Sequence, residues 1–91
     1  MNNMLSVIIP AYNEEENIPR IEKELIPVLD TLKTRFEIIV VDDGSRDGTA
    51  KRVGELKKRH REIVLVKHGI NKGLGAAVIT GISHRLSSAG G

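Results

Sequence analysis

Two adjacent carboxylates, Asp42 and Asp43, close the β-branched run Ile38-Ile39-Val40-Val41 and are followed at once by Gly44. Like charges this close repel, so a purely structural design would seldom set both at one strand end. Asp43 is suited to accept from the N–H groups of a nucleobase, and Asp42 to brace the turn that Gly44 permits. For both, capping of turn amides is the alternative. A second polar segment, Pro10-Ala11-Tyr12-Asn13-Glu14, follows the apolar run from Leu5 to Ile9. Pro10 fixes the backbone just past that run, and Tyr12 offers a flat face with a polar tip to lean against a base or ribose. Glu14 can accept from either or, like Glu15 and Glu16, simply place acid at the positive end of a helix, which is the preferred reading for the latter two. A third segment, His68-Gly69-Ile70-Asn71-Lys72-Gly73-Leu74-Gly75, follows Ile63–Val66. Its Gly73-Leu74-Gly75 turn points weakly to phosphate cradling, with Lys72 beside it either offsetting anionic charge or simply solvated.

Sharper motifs do not fit. A dinucleotide fingerprint requires Gly or Ala at position 78, where Val78 stands, and belongs after the first strand rather than the third. Lys72 precedes Gly73 instead of following a second glycine, so there is no Walker pattern. Asp43, Ser45, Asp47 and Gly48 occupy the first, third, fifth and sixth places of an EF-hand loop, but Gly54 takes the place of the obligatory Glu. Ser45, Asp47 and Thr49 read as turn and cap residues. His60, His68 and His84 show no metal-ligand spacing, and no metal site is expected in this chain. The basic run from Lys57 to Arg61 ends a helix, where cations suit the dipole, and reads as a solvated face.

The elements that must position these segments alternate along the chain. Leu5–Ile9, Phe36–Val41 and Ile63–Val66 are rich in β-branched residues, and the second is nearly continuous in apolar character, as in a strand covered on both faces. From Asn17 to Leu32, Ile18, Ile21, Leu25, Val28, Leu29 and Leu32 form one helical stripe, with Asn17 as cap and Pro19 in the first turn. Pro27, inside that stretch, predicts a kink or break. A second helix is expected from about Gly48 to His60, capped by Asp47, with Ala50, Val53 and Leu56 inward. A third starts near Gly73 and carries Ala76, Ala77, Ile79 and Ile82, its small residues allowing close approach to the sheet. The predicted fold is α/β: a Rossmann-like, three-layer β-α-β-α-β-α arrangement with a three-stranded parallel sheet. In such a sheet ligands bind outside the carboxyl ends of the strands, where all three polar segments fall.

The chain has 91 residues, 40% of them hydrophobic and 29% charged, a globular balance with room for one modest core. Without cysteines, disulfides and thiolate zinc sites are excluded. Tyr12 and Phe36 are the only aromatics and the net charge is +2, which argues against single-stranded nucleic acid as a partner. No apolar run is long enough for a transmembrane segment, and Met1-Asn2-Asn3-Met4 lacks the blocks of a signal peptide, so the expected compartment is the cytoplasm.

Ser6-Val7-Ile8-Ile9-Pro10-Ala11-Tyr12-Asn13-Glu14, Val40-Val41-Asp42-Asp43-Gly44-Ser45 with Asp47-Gly48-Thr49, and Asn71-Lys72-Gly73-Leu74-Gly75-Ala76-Ala77 together resemble family 2 glycosyltransferases of GT-A fold. The resemblance is greatest to the dolichyl- or polyprenyl-phosphate mannosyl- and glucosyltransferases, and covers about the first 82 residues. It implies a nucleotide-sugar donor, GDP- or UDP-linked, and a polyprenyl or dolichyl phosphate acceptor, which would bring the chain to a membrane surface. It implies nucleotide-binding roles for Pro10, Tyr12, Glu14, Asp42 and Asp43, with Val41 lining the base pocket by its backbone and the glycine-rich turn that contains Gly73, beside Lys72, bordering the same pocket. No catalytic residue is expected. The family's divalent metal, magnesium or manganese, sits on an Asp-x-Asp motif that this sequence lacks, so the resemblance implies a truncated transferase with weak or no turnover. Residues 1–86 are then a nucleotide-sugar-binding half-domain and 87–91 a flexible tail. With the strand order third-second-first, the first strand is a bare edge, and a homo-oligomer through that edge is expected. Two other classes compete. A non-catalytic nucleotide- or partner-binding module would bind a nucleoside diphosphate without transfer. A phospho-receiver would need its acidic residues after the first strand and an Asp after the third, where His68 and Gly69 stand.

Overall fold

The β-branched runs pair into one parallel sheet. A computed structural model describes residues 4–89, with strands β1 (Met4–Ala11), β2 (Arg35–Asp43) and β3 (Ile63–His68). They lie in the order β1-β2-β3, β1 pairing Ile8 with Ile39 and β2 pairing Val41 with Val66. The strands run further than their apolar cores, so Pro10, Asp42, Asp43 and His68 belong to the sheet itself. Pro10 is tolerated because β1 is an edge and does not need every donor.

Side chains alternate across β2 and build two cores. Ile38 and Val40 join Ile18, Ile21, Ile26, Leu29, Val53 and Leu56 beneath the first two helices. Ile39 and Val41 face the other way, toward Ala77. All four central residues of β2 are fully buried, which is why this strand lost the usual apolar–polar alternation.

Pro27 shapes the first helix in an unexpected way. An α-helical path would press its ring against the carbonyl of Lys23. Instead a π-helical turn, Ile21–Leu25, precedes α1 (Ile26–Thr31), and the Ile26 amide donates to the Ile21 carbonyl. The wider turn inserts one residue and rotates the inward stripe. Ile26 is therefore buried beside Leu29, which is inward as expected, while Val28 (58% exposed) and Leu32 (52%), also expected inward, face solvent. Asn17 does not cap this helix: its amide donates to the Glu14 carboxylate at 3.2 Å, and the Glu14 carbonyl accepts the Asn17 and Ile18 amides.

Helix α2 (Thr49–Arg59) buries Thr49, Val53 and Leu56, with Ala50 half-buried. The helix starts one residue later than expected, so Gly48 rather than Asp47 takes the cap position; Asp47, just before it, accepts the Thr49 amide at 2.9 Å. At the basic end, Arg59 makes a two-pronged contact with Glu22 at 2.9 and 3.1 Å, and His60 Nε2 approaches the same carboxylate at 2.6 Å. These hydrogen bonds, first from Arg59 and then His60, lower the Glu22 carboxyl to about 2. Lys57, Lys58 and Arg61 remain exposed.

Helix α3 (Leu74–Ala89) crosses the opposite face, over β1 and β2. Ala77 and Gly81, one turn apart, form its inward line, and Ile79 and Ile82 face solvent rather than the sheet. The small-residue stripe wins because it permits close approach. The helix includes Ser87, expected in a tail; Gly90 and Gly91 lie outside the described residues. Glu37 ties this layer down, accepting from Ser6 Oγ at 2.7 Å and pairing with Arg85 at 3.4 Å.

Two helical glycines should respond oppositely to the same change. A Cβ on Gly54 meets nothing within 4 Å, whereas one on Gly81 would lie 2.5 Å from Ile8 Cγ2. Gly54→Ala should raise stability by about 0.5–1 kcal/mol, from helix propensity alone. Gly81→Ala should lower it by about 1–3 kcal/mol, because the stiff Ile8 side chain must be pushed aside. Urea denaturation of both variants measures the pair; equal gains would show that α3 does not lie this close to β1.

Candidate functional site

The sheet pleat resolves the clash between the two carboxylates. Asp42 continues the even-numbered face of β2 and Asp43 the odd-numbered one, so they leave opposite sides of the strand. Asp42 Oδ1 accepts the Ser45 amide at 3.1 Å and so braces the turn. Asp43, its side chain only 5% exposed, is surrounded by donors. Oδ1 takes the Lys72 amide at 2.8 Å and His68 Nδ1 at 2.7 Å, and Oδ2 takes the Gly73 amide at 2.8 Å. The His68 bond first, then the two amides, hold its carboxyl below the ordinary aspartate value against the opposing effect of desolvation. His68 Nε2 in turn meets Thr80 Oγ1 of α3 at 2.8 Å.

The first two loops are laced side chain to backbone. Asn13, at φ 53°, donates its amide to Ser45 Oγ at 2.9 Å and accepts the Arg46 amide on its side chain at 2.9 Å. The Glu14 amide donates to Thr49 Oγ1 at 2.9 Å, and Glu15 Oε1 accepts the Gly48 amide at 3.1 Å. The second and third loops meet backbone to backbone. Gly44 sits at φ +75°, and a Cβ there would lie 2.5 Å from the Asn71 nitrogen. No L side chain fits that approach.

Between these loops lies a cleft of about 260 Å³, lined by Pro10, Tyr12, Asp43, Gly73, Leu74 and Ala77 among others. A larger, shallower hollow of about 370 Å³ lies beside the π-helical turn, at Asn17, Arg20 and Glu24, away from the strand ends. Of the eight residues that the sequence nominates, Pro10, Tyr12, Asp43 and Gly73 meet on the cleft wall. Asp42 faces the other side of the sheet, on the Ser45 amide. Glu14 is exposed, with its carboxylate on Asn17. Lys72 offers its amide to Asp43 and keeps its side chain exposed. Val41 is fully buried in the core under α3 and does not reach the cleft surface. The residues that sequence reasoning missed are His68, Asn13 and Glu15. His68 had a signal, a lone imidazole at a strand end beside an acidic pair; Glu15 had none, since an acid at a helix start explains itself.

The cleft therefore offers a half-exposed aromatic face, an anchored carboxylate and the start of α3. With one donor on Oδ2 against two on Oδ1, the carboxylate keeps capacity for a further donor. Among the described residues, no group of three or more acidic or histidine side chains could hold a metal ion. No helix among them is long and apolar enough to cross a membrane.

The family model described as glycosyl transferase family 2 matches residues 6–87. The chain is 43% identical over 88 residues to a dolichyl-phosphate beta-glucosyltransferase of Dictyostelium discoideum, covering 89% of this chain and 27% of that protein. It is 39% identical over 85 residues to an uncharacterized glycosyltransferase of Synechocystis sp., covering 93% of this chain and 27% of that one. Among solved structures it is similar to a mannosyltransferase from Pyrobaculum calidifontis in complex with GDP-Man and Mn2+, with a TM-score of 0.71 and 32% identity, over 88% of this chain and 24% of the other. The chain thus spans about a quarter of the length of these relatives.

Replacing Gly44 tests the meeting of the second and third loops. Gly44→Ala combines a positive φ with a backbone clash that no rotamer relieves, and should cost about 2–4 kcal/mol. Thermal unfolding checks this; a neutral result would mean that Gly44 and Asn71 are not in contact.

Proposed function

Because the chain belongs to glycosyl transferase family 2, and carries the N-terminal part of a GT-A fold, we propose that its cleft binds the nucleoside diphosphate end of a nucleotide-sugar donor. The observation that carries this reading is the convergence of Tyr12, Asp43 and Gly73 on one cleft at the carboxyl ends of the strands. Tyr12, 47% exposed, leans its ring on the base. The free acceptor capacity of Asp43 takes an N–H of the base, and Pro10 and Ala77 supply apolar walls. The positive end of the α3 dipole and the Lys72 ammonium lower the cost of phosphate charge nearby. Glu14 and Asp42 act through the loops they hold, and the backbone of Val41 supports the strand behind the cleft.

The donor is a GDP- or UDP-sugar, as the family resemblance implies, and the acceptor a polyprenyl or dolichyl phosphate, in line with the dolichyl-phosphate named for a relative. The setting we propose is the cytoplasm, at a membrane surface where such an acceptor resides. None of the described residues is assigned a bond-making step, and none is assigned to a divalent metal, because their carboxylates and imidazoles are not grouped to hold one. A copy-to-copy contact along β1 is part of the same proposal: its outer edge has no strand partner among the described residues, and Leu5 is 40% exposed there.

Calorimetric titration with GDP and UDP tests the reading. At least one should bind with a Kd of about 1 mM or tighter, some 4 kcal/mol. Incubation of the 91 residues with nucleotide sugar, polyprenyl phosphate and magnesium should yield weak or no sugar transfer. Failure of both nucleotides to bind would overturn the proposed function, and efficient transfer would overturn the assignment of no bond-making step to these residues.

A further inference from the structure

His68 is the buried titratable group that the proposed donor contacts leave unused. Its side chain is 6% exposed and both ring nitrogens are engaged, Nδ1 with Asp43 Oδ1 at 2.7 Å and Nε2 with Thr80 Oγ1 at 2.8 Å. An ionised carboxylate only accepts, so Nδ1 carries the proton in the first contact; the Thr80 hydroxyl can then donate to Nε2. His68 itself does not line the cleft, and two roles are open to it. It could be a strut joining β3 to α3, or it could act on the cleft through Asp43.

The geometry favours the second. The terminal torsion of an aspartate is soft and roughly two-fold. To hold the Lys72 amide on one oxygen and the Gly73 amide on the other, both at 2.8 Å, that torsion must be fixed. Nδ1 binds the same oxygen as the Lys72 amide and is the only side chain that donates to Asp43 in the hydrogen bonds found among the described residues. Removing it leaves Oδ1 one donor short in a place that water scarcely reaches, and the carboxylate gains by turning toward solvent. The Lys72–Gly73 turn would loosen with it, and that turn is one wall of the cleft.

We propose that His68 is a positioning residue: through Nδ1 it fixes the Asp43 carboxylate, hence the Lys72–Gly73 turn, and so sets the affinity of the cleft for a nucleoside diphosphate. This rests on the function proposed above.

Three variants separate the two roles. In His68→Asn the side-chain amide occupies the place of Nδ1 and keeps a donor for Asp43, but loses Thr80. In His68→Gln the amide occupies the place of Nε2 and keeps Thr80, but loses Asp43. In Thr80→Val only the Nε2 contact goes. Melting temperature, GDP and UDP affinity, and hydrogen exchange of the Lys72 and Gly73 amides are measured for each. The two His68 variants should lose similar thermal stability. His68→Gln should nevertheless weaken nucleotide binding about tenfold and expose both amides to exchange, while His68→Asn and Thr80→Val stay within about threefold of the unaltered chain. If affinity instead follows melting temperature across all three, His68 is a strut and the proposal is overturned. Should His68→Gln fail to fold, a Thr80→Val chain that folds yet binds more than about fivefold weaker overturns it equally. If the unaltered chain binds neither nucleotide, the proposed function fails and takes the ligand of this inference with it; the amide exchange then decides separately whether His68 sets the turn.

Discussion

An ionised carboxylate at the end of the central strand organises the upper face of this molecule. Asp43 gathers donors from β3, from the loop after it and from the residue just before α3, at 2.7–2.8 Å. Burying a lone carboxylate would cost far more than a domain of this size can tolerate. Three charge-assisted hydrogen bonds reverse that balance, and they do so only if the third loop folds back onto β2. The cleft is a consequence of satisfying this charge.

The rest of the fold supplies the frame. A central strand covered on both faces cannot tilt, and its pleat sends Asp42 and Asp43 to opposite layers. One carboxylate then shapes the turn into α2 and the other the turn into α3. Small residues on α3 let that helix sit against β1, which brings its first turn beside Pro10 and Tyr12. Asn13, Ser45, Thr49 and Glu15 fasten the first loop to the second, so none of the three moves alone.

Much of this was legible in the sequence. β-branched runs separated by helical spacing identify parallel strands with crossovers, and the rule that ligands sit at the carboxyl ends of such strands directs attention to the three polar segments. Pro10, Tyr12, Asp43 and Gly73 could be chosen on residue chemistry alone. What escaped was set by geometry that periodicity does not encode. Pro27 announces a disturbance but not whether it is a break or a π-helical turn, and the one inserted residue decides that Ile26 joins Leu29 in the core while Val28 and Leu32 face solvent. Asp43 looked like a ligand group, and most of its acceptor capacity serves the protein's own amides. His68 looked incidental because its partners lie 25 and 12 residues away.

The carboxyl resonance of Asp43, followed by carbon-13 NMR across an acid titration, reports whether this charge is held by its three donors. Its folded value lies below the ordinary one near 3.8, so the stabilisation is complete above that pH and is lost as the pH falls through the folded value. The account predicts a carboxylate that stays ionised below the ordinary range, with the Lys72 and Gly73 amide signals moving together with it when it finally protonates. Titration at the ordinary aspartate value, with those amides unmoved, would contradict it.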